Sequence, residues 1–170
     1  MRLFKLTIPC IAAVVFLLIV CPATGSTMNS RSPKHEVRAV WLTTIGGLDW
    51  PHTYARTPAA AALQKRELCE ILDRLKEANV NTVLFQTRIR GTMIYPSAME
   101  PWDGCLSGQP GLSPGYDALQ FAIDECHKRG IELHAWVVTI PIGKWNGMGC
   151  QKIRRRHPGL VHRIGDEGYL

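Results

Sequence analysis

The segment VNTVLFQTR, residues 80–88, decides the fold of this chain. Successive side chains of a strand point to opposite faces, so Val83 and Phe85 share one apolar face. The opposite face is partly polar and carries Thr82, Leu84, Gln86 and Arg88. The segment IELHAWVV, residues 131–138, repeats this division, and its more polar face carries Glu132, His134 and Trp136. Both segments therefore predict strands with one apolar face and one partly polar face.

Two amphipathic helices are predicted between the strands. Thr57 followed by Pro58 is typical of a helix start, and this helix is expected to run to Ala78. Its apolar stripe repeats at helical spacing and consists of Leu68, Ile71, Leu72 and Leu75. The second helix is predicted over residues 117–129, and Gly130 is a suitable stop.

The predicted order is strand, helix, strand, helix, strand, beginning with VRAVWLTT at residues 37–44. Such alternation requires parallel strands joined by right-handed crossovers. A long loop punctuated by glycine and proline is predicted over residues 89–114. Residues 139–170 show one short helix near residues 151–156 and a GDEG turn at residues 165–168, and no fourth strand is predicted there.

The partly polar strand faces favour a barrel over an open sheet. A parallel strand buried between helices on both sides is apolar throughout. In a barrel only the outward face packs on helices, and inward polar residues near the carboxyl ends of the strands form the floor of a site. The predicted fold class is therefore α/β, with about three βα units of a (β/α)8 barrel, a fold that typically needs ~250 residues.

The first 25 residues are interpreted as a signal peptide. Arg2 and Lys5 form a basic start, residues 11–20 (IAAVVFLLIV) form an apolar core, and residues 23–25 (ATG) supply small residues for cleavage. The protein is therefore expected to be exported to the periplasm or the extracellular space. Two alternatives stay open: a retained membrane anchor, and attachment to a membrane through a lipid on Cys21.

After cleavage, residues 26–36 are expected to form a polar linker and residues 37–170 the domain itself. The whole chain has 170 residues, 46% of them hydrophobic and 20% charged, with a net charge of +6. These values exclude a disordered tail, a collagen-like repeat and a polytopic membrane protein. The basic run KIRRR at residues 152–156 has no interleaved aromatic residues, so it indicates a solvated helix face, and nucleic acid is not an expected partner.

Four cysteines follow the predicted signal peptide. Cys69 and Cys126 fall on the apolar stripes of the helices and are expected to be buried thiols. Cys105 and Cys150 lie in loops that follow strands, and in an oxidising compartment either a disulfide between them or two free thiols would fit. No Cys or His spacing suggests zinc, and neither a metal nor another cofactor is expected.

The string FQTRIRGTMIYPSAMEPWDGCLSGQPGLSPGYDALQFAIDECHKRGIELHAW, residues 85–136, resembles the N-terminal part of the glycosyl hydrolase-like 10 family, as do RAVWLTT and LDWP upstream. The resemblance covers residues 37–170 and implies a (β/α)8 barrel and an exported glycosidase that acts on a polysaccharide or cell-wall glycan. The positions that match the family motifs are Trp41, Asp49, Trp50, Gln86, Arg88, Tyr95, Pro96, Glu100, Pro101, Trp102, His134 and Trp136. The chain departs from the family pattern at Thr92, where many relatives have an acid, and at residues 137–139 (VVT), where Asn-Pro-Tyr is common.

This segment is expected to bind sugars. Aromatic rings pack on the apolar faces of pyranose rings, and polar side chains hydrogen-bond to hydroxyl groups. The candidate substrate-binding residues are Trp41, Trp50, Gln86, Arg88, Tyr95, Trp102, Asp103, His134 and Trp136. Structural alternatives stay open for several of these residues: Trp41 and Trp136 as barrel core, Arg88 as the partner of a carboxylate, and His134 as a core histidine.

No catalytic residue is assigned from the sequence. Glycoside hydrolysis needs two carboxyl groups, about 5–5.5 Å apart for retention or about 6.5–9.5 Å apart for inversion. Glu132 sits early on its strand, Glu100 and Asp103 lie on a loop, and Asp49 lies in the first loop, so none of them is a good candidate. The acid-bearing fourth strand that the family resemblance implies is expected beyond residue 170.

Three functional hypotheses stay open on these grounds. The first is a glycosidase-like protein of which the chain holds the N-terminal part of the barrel. The second is a non-catalytic exported glycan-binding protein that keeps the aromatic floor. The third is an inactive fragment, because three parallel strands leave unpaired edges.

Overall fold

The computed structural model describes residues 36–170, so the predicted signal peptide and all but the last residue of the predicted linker lie outside the described residues. Three strands form a parallel sheet in the order β1 (Ala39–Leu42), β2 (Thr82–Arg88) and β3 (Glu132–Val137). The predicted alternation of strands and helices with parallel pairing is thus confirmed. β1 and β3 are shorter at both ends than the predicted segments, and β2 is shorter only at its beginning.

The two predicted helices are confirmed, as is the predicted cap at Thr57. Helix α1 (Pro58–Glu77) begins after Thr57, whose hydroxyl accepts a hydrogen bond from the Ala60 amide at 3.1 Å. A short helix that was not predicted, α2 (Gly104–Ser107), lies within the long loop. Helix α3 (Ala118–Lys128) begins after Asp117, whose carboxylate accepts a hydrogen bond from the Gln120 amide at 3.0 Å.

The main core lies between the sheet and these helices. Its buried members include Leu68 and Leu72 of α1, Val83 and Phe85 of β2, and Ala122 of α3. This arrangement confirms that the apolar face of β2 packs on helices, as the alternation predicted. The other two residues of the predicted α1 stripe, Ile71 and Leu75, are half-buried and pack against the same core.

The apolar face of β3 is covered only at its beginning. Ile131 is buried and Leu133 is half-buried, whereas Ala135 and Val137 are exposed. The prediction that this whole face packs on helices is therefore wrong. The reason is that β3 is an edge strand of the sheet and no described element covers its carboxyl-terminal half.

Residues 139–170, named here the antiparallel unit, form a second sheet that the sequence did not predict. Strands β4 (Pro141–Lys144), β5 (His162–Ile164) and β6 (Glu167–Tyr169) pair in the order β4-β6-β5, and helix α4 (Met148–Arg156) connects β4 to the hairpin. The expectation of no further strand is corrected here. Strands of three or four residues are too short to show alternation, and β4 pairs with β6 across the intervening helix.

The antiparallel unit has its own small apolar cluster, made of Ile142, Cys150 and Ile153. The antiparallel unit packs on the loop that follows β2. Lys152 Nζ donates to the Ala98 carbonyl at 3.2 Å, and a Cβ added to Gly149 would lie 2.2 Å from the Gly91 carbonyl oxygen. The unit therefore sits at the carboxyl end of β2.

No helix among residues 36–170 is both long enough and apolar enough to cross a membrane.

Candidate functional site

The face of the parallel sheet that points away from the helices carries an exposed aromatic pair. The register places Trp41 opposite Leu84 and Leu84 opposite His134, with Trp136 opposite Gln86. The rings of Trp41 and Trp136 meet edge to face, with centroids 4.8 Å apart. Trp41 is 57% exposed and Trp136 is half-buried, so neither ring belongs to the closed core of the described residues.

His134 lies on the same face and is also exposed. Its Nε2 atom is 3.5 Å from Glu132 Oε2, and the two side chains are 61% and 79% exposed. The predicted core alternative for His134 is therefore not what the structure shows. Glu132 is the first residue of β3, so its carboxylate lies at the amino end of the strand, away from the loops that follow the strands.

Gln86 is buried and holds the loop that follows β1. Its side-chain oxygen accepts hydrogen bonds from the amides of Thr44 and Ile45, each at 2.9 Å, and its backbone oxygen accepts one from the Thr44 hydroxyl at 2.9 Å. The residue is 3% exposed. Its amide oxygen is thus engaged with the backbone, and we assign Gln86 the task of shaping the loop.

Arg88 forms a buried ion pair with Glu100. Arg88 Nε donates to both carboxylate oxygens at 3.0 and 2.8 Å, and Nη2 donates at 2.7 Å. Its Nη1 atom donates to the carbonyls of Val138 and Thr139, the latter at 3.1 Å. The two side chains are 8% and 10% exposed, so the alternative of Arg88 as the partner of a carboxylate is the one the structure shows.

A shift in strand register accompanies this arrangement. Gln86 pairs with Trp136, but Arg88 pairs with Val137, so β2 contains one extra residue at this point. A bulge of this kind bends the strand and re-aims the side chains next to it. Arg88 ties the loop containing Glu100 to the chain leaving β3, which fixes the two loops at the carboxyl end of the sheet.

The three candidates on the long loop have structural contacts. Tyr95 and Trp102 are half-buried and pack against the main core. Asp103 caps α2 by accepting a hydrogen bond from the Cys105 amide at 2.7 Å, and its other oxygen accepts one from the Thr92 hydroxyl at 2.5 Å. Thr92, the departure from the family pattern, therefore stabilises this loop in place of an acid.

Trp50 does not line the face, and this prediction is corrected. The side chain is fully buried, its Nε1 donates to the Gln64 carbonyl at 2.9 Å, and its ring packs 5.8 Å from that of Phe85. The polar loop around Trp50 suggested exposure, but the residue reaches back into the core and finds its hydrogen-bond acceptor on α1. This acceptor has no local sequence signal.

The suggested disulfide between Cys105 and Cys150 is also corrected, because both thiols are free. Cys105 belongs to the main core and Cys150 to the cluster of the antiparallel unit, so the two loops lead to different packing centres. Burial raises the pKa of both thiols. Burial also raises the pKa of Cys126 to about 11, so these thiols stay protonated near neutral pH and are poor nucleophiles.

The described carboxylates are mostly committed to structural contacts. Asp49 Oδ2 accepts hydrogen bonds from the Thr43 amide at 2.8 Å and its hydroxyl at 2.6 Å, and Glu100 is bound to Arg88. No group of three or more His, Cys, Asp or Glu that could hold a metal ion occurs within residues 36–170. On the face described above, the ring of Trp41 is exposed and can stack on another ring, and the exposed imidazole of His134 can form hydrogen bonds.

Comparison with known proteins gives the family of this chain. The family model described as "Glycosyl hydrolase-like 10" matches residues 36–165. The chain is 37% identical over 124 residues to "Glycosyl hydrolase DigH" of Escherichia coli strain K12, an alignment that covers 69% of this chain and 28% of that protein. It is 34% identical over 145 residues to "Glycosyl hydrolase YngK" of Bacillus subtilis strain 168, covering 83% of this chain and 28% of that protein.

The chain thus spans just over a quarter of the length of these curated relatives. The matched range contains all three strands of the parallel sheet and the exposed aromatic pair. The chain belongs to the glycosyl hydrolase-like 10 family.

Proposed function

We propose that the described residues form the glycan-binding floor of a glycoside-hydrolase-type site in an exported protein. The observation that carries this proposal is the edge-to-face pair of the exposed Trp41 and the half-buried Trp136 on the face opposite the helices. A large aromatic pair left in solvent is unusual unless it meets a ligand or another part of the protein. His134, next to the pair on the same face, supplies a hydrogen-bonding group for sugar hydroxyls.

The parallel sheet fits the first three strands of a (β/α)8 barrel. Helices cover one face of β2, and the other face carries aromatic and polar side chains. In such barrels the loops after the strands form the walls of the site. The Arg88–Glu100 pair fixes two of these loops, and the proposal places the glycan above them.

The reaction class depends on a carboxylate pair. Glu100 is bound to Arg88 and Glu132 lies at the amino end of β3, so neither fits a pair at the required separation. We therefore propose that the reacting carboxyl groups of a hydrolytic site come from other parts of the protein than the described residues. The same observation favours the second candidate, a glycan-binding protein without hydrolytic activity.

Titration calorimetry with chitohexaose and cellohexaose tests the proposal. We expect Trp41→Ala and Trp136→Ala each to weaken binding about tenfold, because each removes a stacking surface. Tyr54→Ala is the matched control, since Tyr54 is also an exposed aromatic residue, at 51%, but lies on a loop outside this face. Thermal melting of each variant checks that folding is retained.

The outcomes separate the candidates. Oligosaccharide products in mass spectra would support the hydrolase, whereas binding without products would support the non-catalytic protein. If both tryptophan variants bind as tightly as the parent, or if Tyr54→Ala weakens binding equally, the assignment of this face is wrong.

A further inference from the structure

Charge is unevenly distributed along the described residues. Residues 139–170 contain six Lys and Arg against two acids, a net charge of +4, whereas residues 36–138 contain ten against twelve, a net charge of −2. The antiparallel unit is therefore basic, whereas the rest of the described residues are weakly acidic. Such segregation creates a local positive potential that attracts anions.

Two arginines of this unit lie over one tryptophan ring. The guanidinium carbon of Arg154 is 4.0 Å from the ring centroid of Trp145, and that of Arg163 is 5.5 Å from the same centroid. Stacking of this kind holds a guanidinium plane in a fixed orientation while its N–H groups stay available at the edge. Two like charges are thus held near each other by one aromatic side chain.

The Arg154 guanidinium lacks an acceptor that it requires. Its Nη1 atom is buried and has no hydrogen-bond partner, the only such side-chain atom found among the described residues. Buried polar groups are nearly always satisfied, and a charged donor without an acceptor is especially costly. The two acids of the antiparallel unit are already engaged, since Asp166 pairs with Lys144 at 2.7 Å and Glu167 pairs with Arg90 at 3.3 Å.

We propose that Arg154 and Arg163, held by Trp145, form an oxyanion site that binds a carboxylate group of an acidic polysaccharide. The inference deepens the proposed glycan-binding function and rests on it. A guanidinium fork matches a carboxylate in two parallel hydrogen bonds. Arg163 is exposed and Arg154 is half-buried, so solvent reaches the first side chain fully and the second in part.

The position of the unit favours a polysaccharide over other anionic polymers. The antiparallel unit packs on the loop after β2 through Gly91 and Gly149, at the carboxyl end of the sheet. Trp136 lies near the carboxyl end of β3 in the same sheet. A single chain of sugars that stacks on the aromatic pair can thus extend toward the basic unit, where its acid groups meet the two arginines.

The test uses one polymer backbone in two charge states. Polygalacturonate carries a carboxylate on every sugar, and its fully methyl-esterified form carries none, so the difference in affinity measures recognition of the charge. We expect polygalacturonate to bind at least about fivefold more tightly at 0.15 M salt, the ionic strength at which exposed charges are largely screened beyond about 8 Å.

Matched variants identify the residues. Arg154→Gln and Arg163→Gln are each expected to remove most of this preference, whereas Arg155→Gln, an equal change of charge at an exposed neighbour, is expected to keep it. Arg163 is exposed, so its variant is expected to fold even if Arg154→Gln does not. Binding of the esterified polymer is expected to be unchanged in all three variants.

Several results would overturn the inference. Equal losses in all three arginine variants would show only general attraction between opposite charges. Tighter binding of inorganic polyphosphate through the same two arginines would assign the site to a phosphate polymer. A third result is that Trp136→Ala loses binding of the esterified polymer while the parent protein shows no preference for the acidic polymer. In that case the proposed function stands and the anion site is rejected. If neither polymer binds the parent protein, the anion site is rejected, whereas the proposed glycan-binding function is still decided by the titrations with chitohexaose and cellohexaose.

Discussion

At the scale of single residues, the Arg88–Glu100 pair has the clearest energetic consequence. The two residues are 7% and 9% exposed, and three hydrogen bonds join their side chains. Two charges in such a place stabilise each other, and removal of one leaves the other buried and uncompensated. The cost of breaking a buried pair in this way is about 3–5 kcal/mol.

We therefore expect Glu100→Gln to lower the free energy of unfolding by about 3 kcal/mol or more, and Arg88→Met to do the same. Urea unfolding followed by circular dichroism measures both variants. In the double variant Arg88→Met/Glu100→Leu, the free energy of unfolding is expected to fall by less than the sum of the decreases in the single variants. The reason is that no charge is left unpaired. Single losses below about 1 kcal/mol would mean that the pair behaves like an exposed one.

The site was less predictable from the sequence than the strands that carry it. Alternation on β3 placed His134 and Trp136 on one face, and the register shows that Trp41 of β1 lies on that face too. Exposure depends on distant partners, which the local sequence does not show. Trp50 is buried because the Gln64 carbonyl accepts its N–H group, and Gln86 is engaged because two amides of the preceding loop reach its side chain.

At the scale of elements, one charged cluster joins the two long helices. Arg129, directly after α3, donates to Asp73 of α1 at 2.6 Å and to Glu125 of its own helix at 2.7 Å. Hydrogen bonds from Lys128 and then Arg129 lower the pKa of Glu125 to about 2. The sequence indicated that α1 is amphipathic but gave no sign of this link, because Asp73 and Arg129 are far apart along the chain.

The lowered pKa sets a pH window. A carboxyl group that is more acidic in the folded than in the unfolded chain stabilises the fold above its unfolded pKa, near 4.5, and this contribution is lost as the pH falls toward 2. We expect Glu125→Gln to lower the free energy of unfolding by about 1 kcal/mol at pH 7, since solvent screens part of the interaction. At pH 2 we expect the variant to lower it little. Thermal melting across this range measures the difference.

Asp124→Asn is the control for this prediction, because Asp124 lies one position earlier on α3 and is exposed. The decrease in the free energy of unfolding of this variant is expected to be smaller and not to depend on pH in the same way. A cost for Glu125→Gln that is as large at pH 2 as at pH 7 would contradict the ion-pair explanation.

Element boundaries were predictable where chemical start and stop signals exist. The start of α1 was predictable from Thr57 and Pro58, and the end of α3 was predictable from Gly130. The antiparallel unit has no such periodic signal, because its strands contain only three or four residues. Its pairing of β4 with β6 depends on contacts across α4, which are non-local in the sequence.

At the scale of the whole molecule, the described residues have two packing centres joined by close backbone contact. The main core lies under the parallel sheet, and the smaller cluster lies within the antiparallel unit. The junction includes Gly149 of α4, which faces the backbone of Gly91 in the loop after β2. The position of the basic unit beside the proposed glycan face therefore depends on a glycine that has no side chain to keep the two backbones apart.

Gly149→Ala tests this junction. The added Cβ would lie 2.2 Å from the Gly91 oxygen and 2.7 Å from its carbonyl carbon, and backbone atoms cannot rotate away as a flexible side chain can. We expect faster hydrogen exchange, measured by mass spectrometry, in residues 139–170 and in the loop after β2, while β2 itself stays protected. Gly159→Ala is the matched control, because a Cβ there meets no atom within 4 Å. If both variants exchange like the parent, the antiparallel unit is held in place by its side-chain contacts, such as Arg90 with Glu167, rather than by the glycine junction.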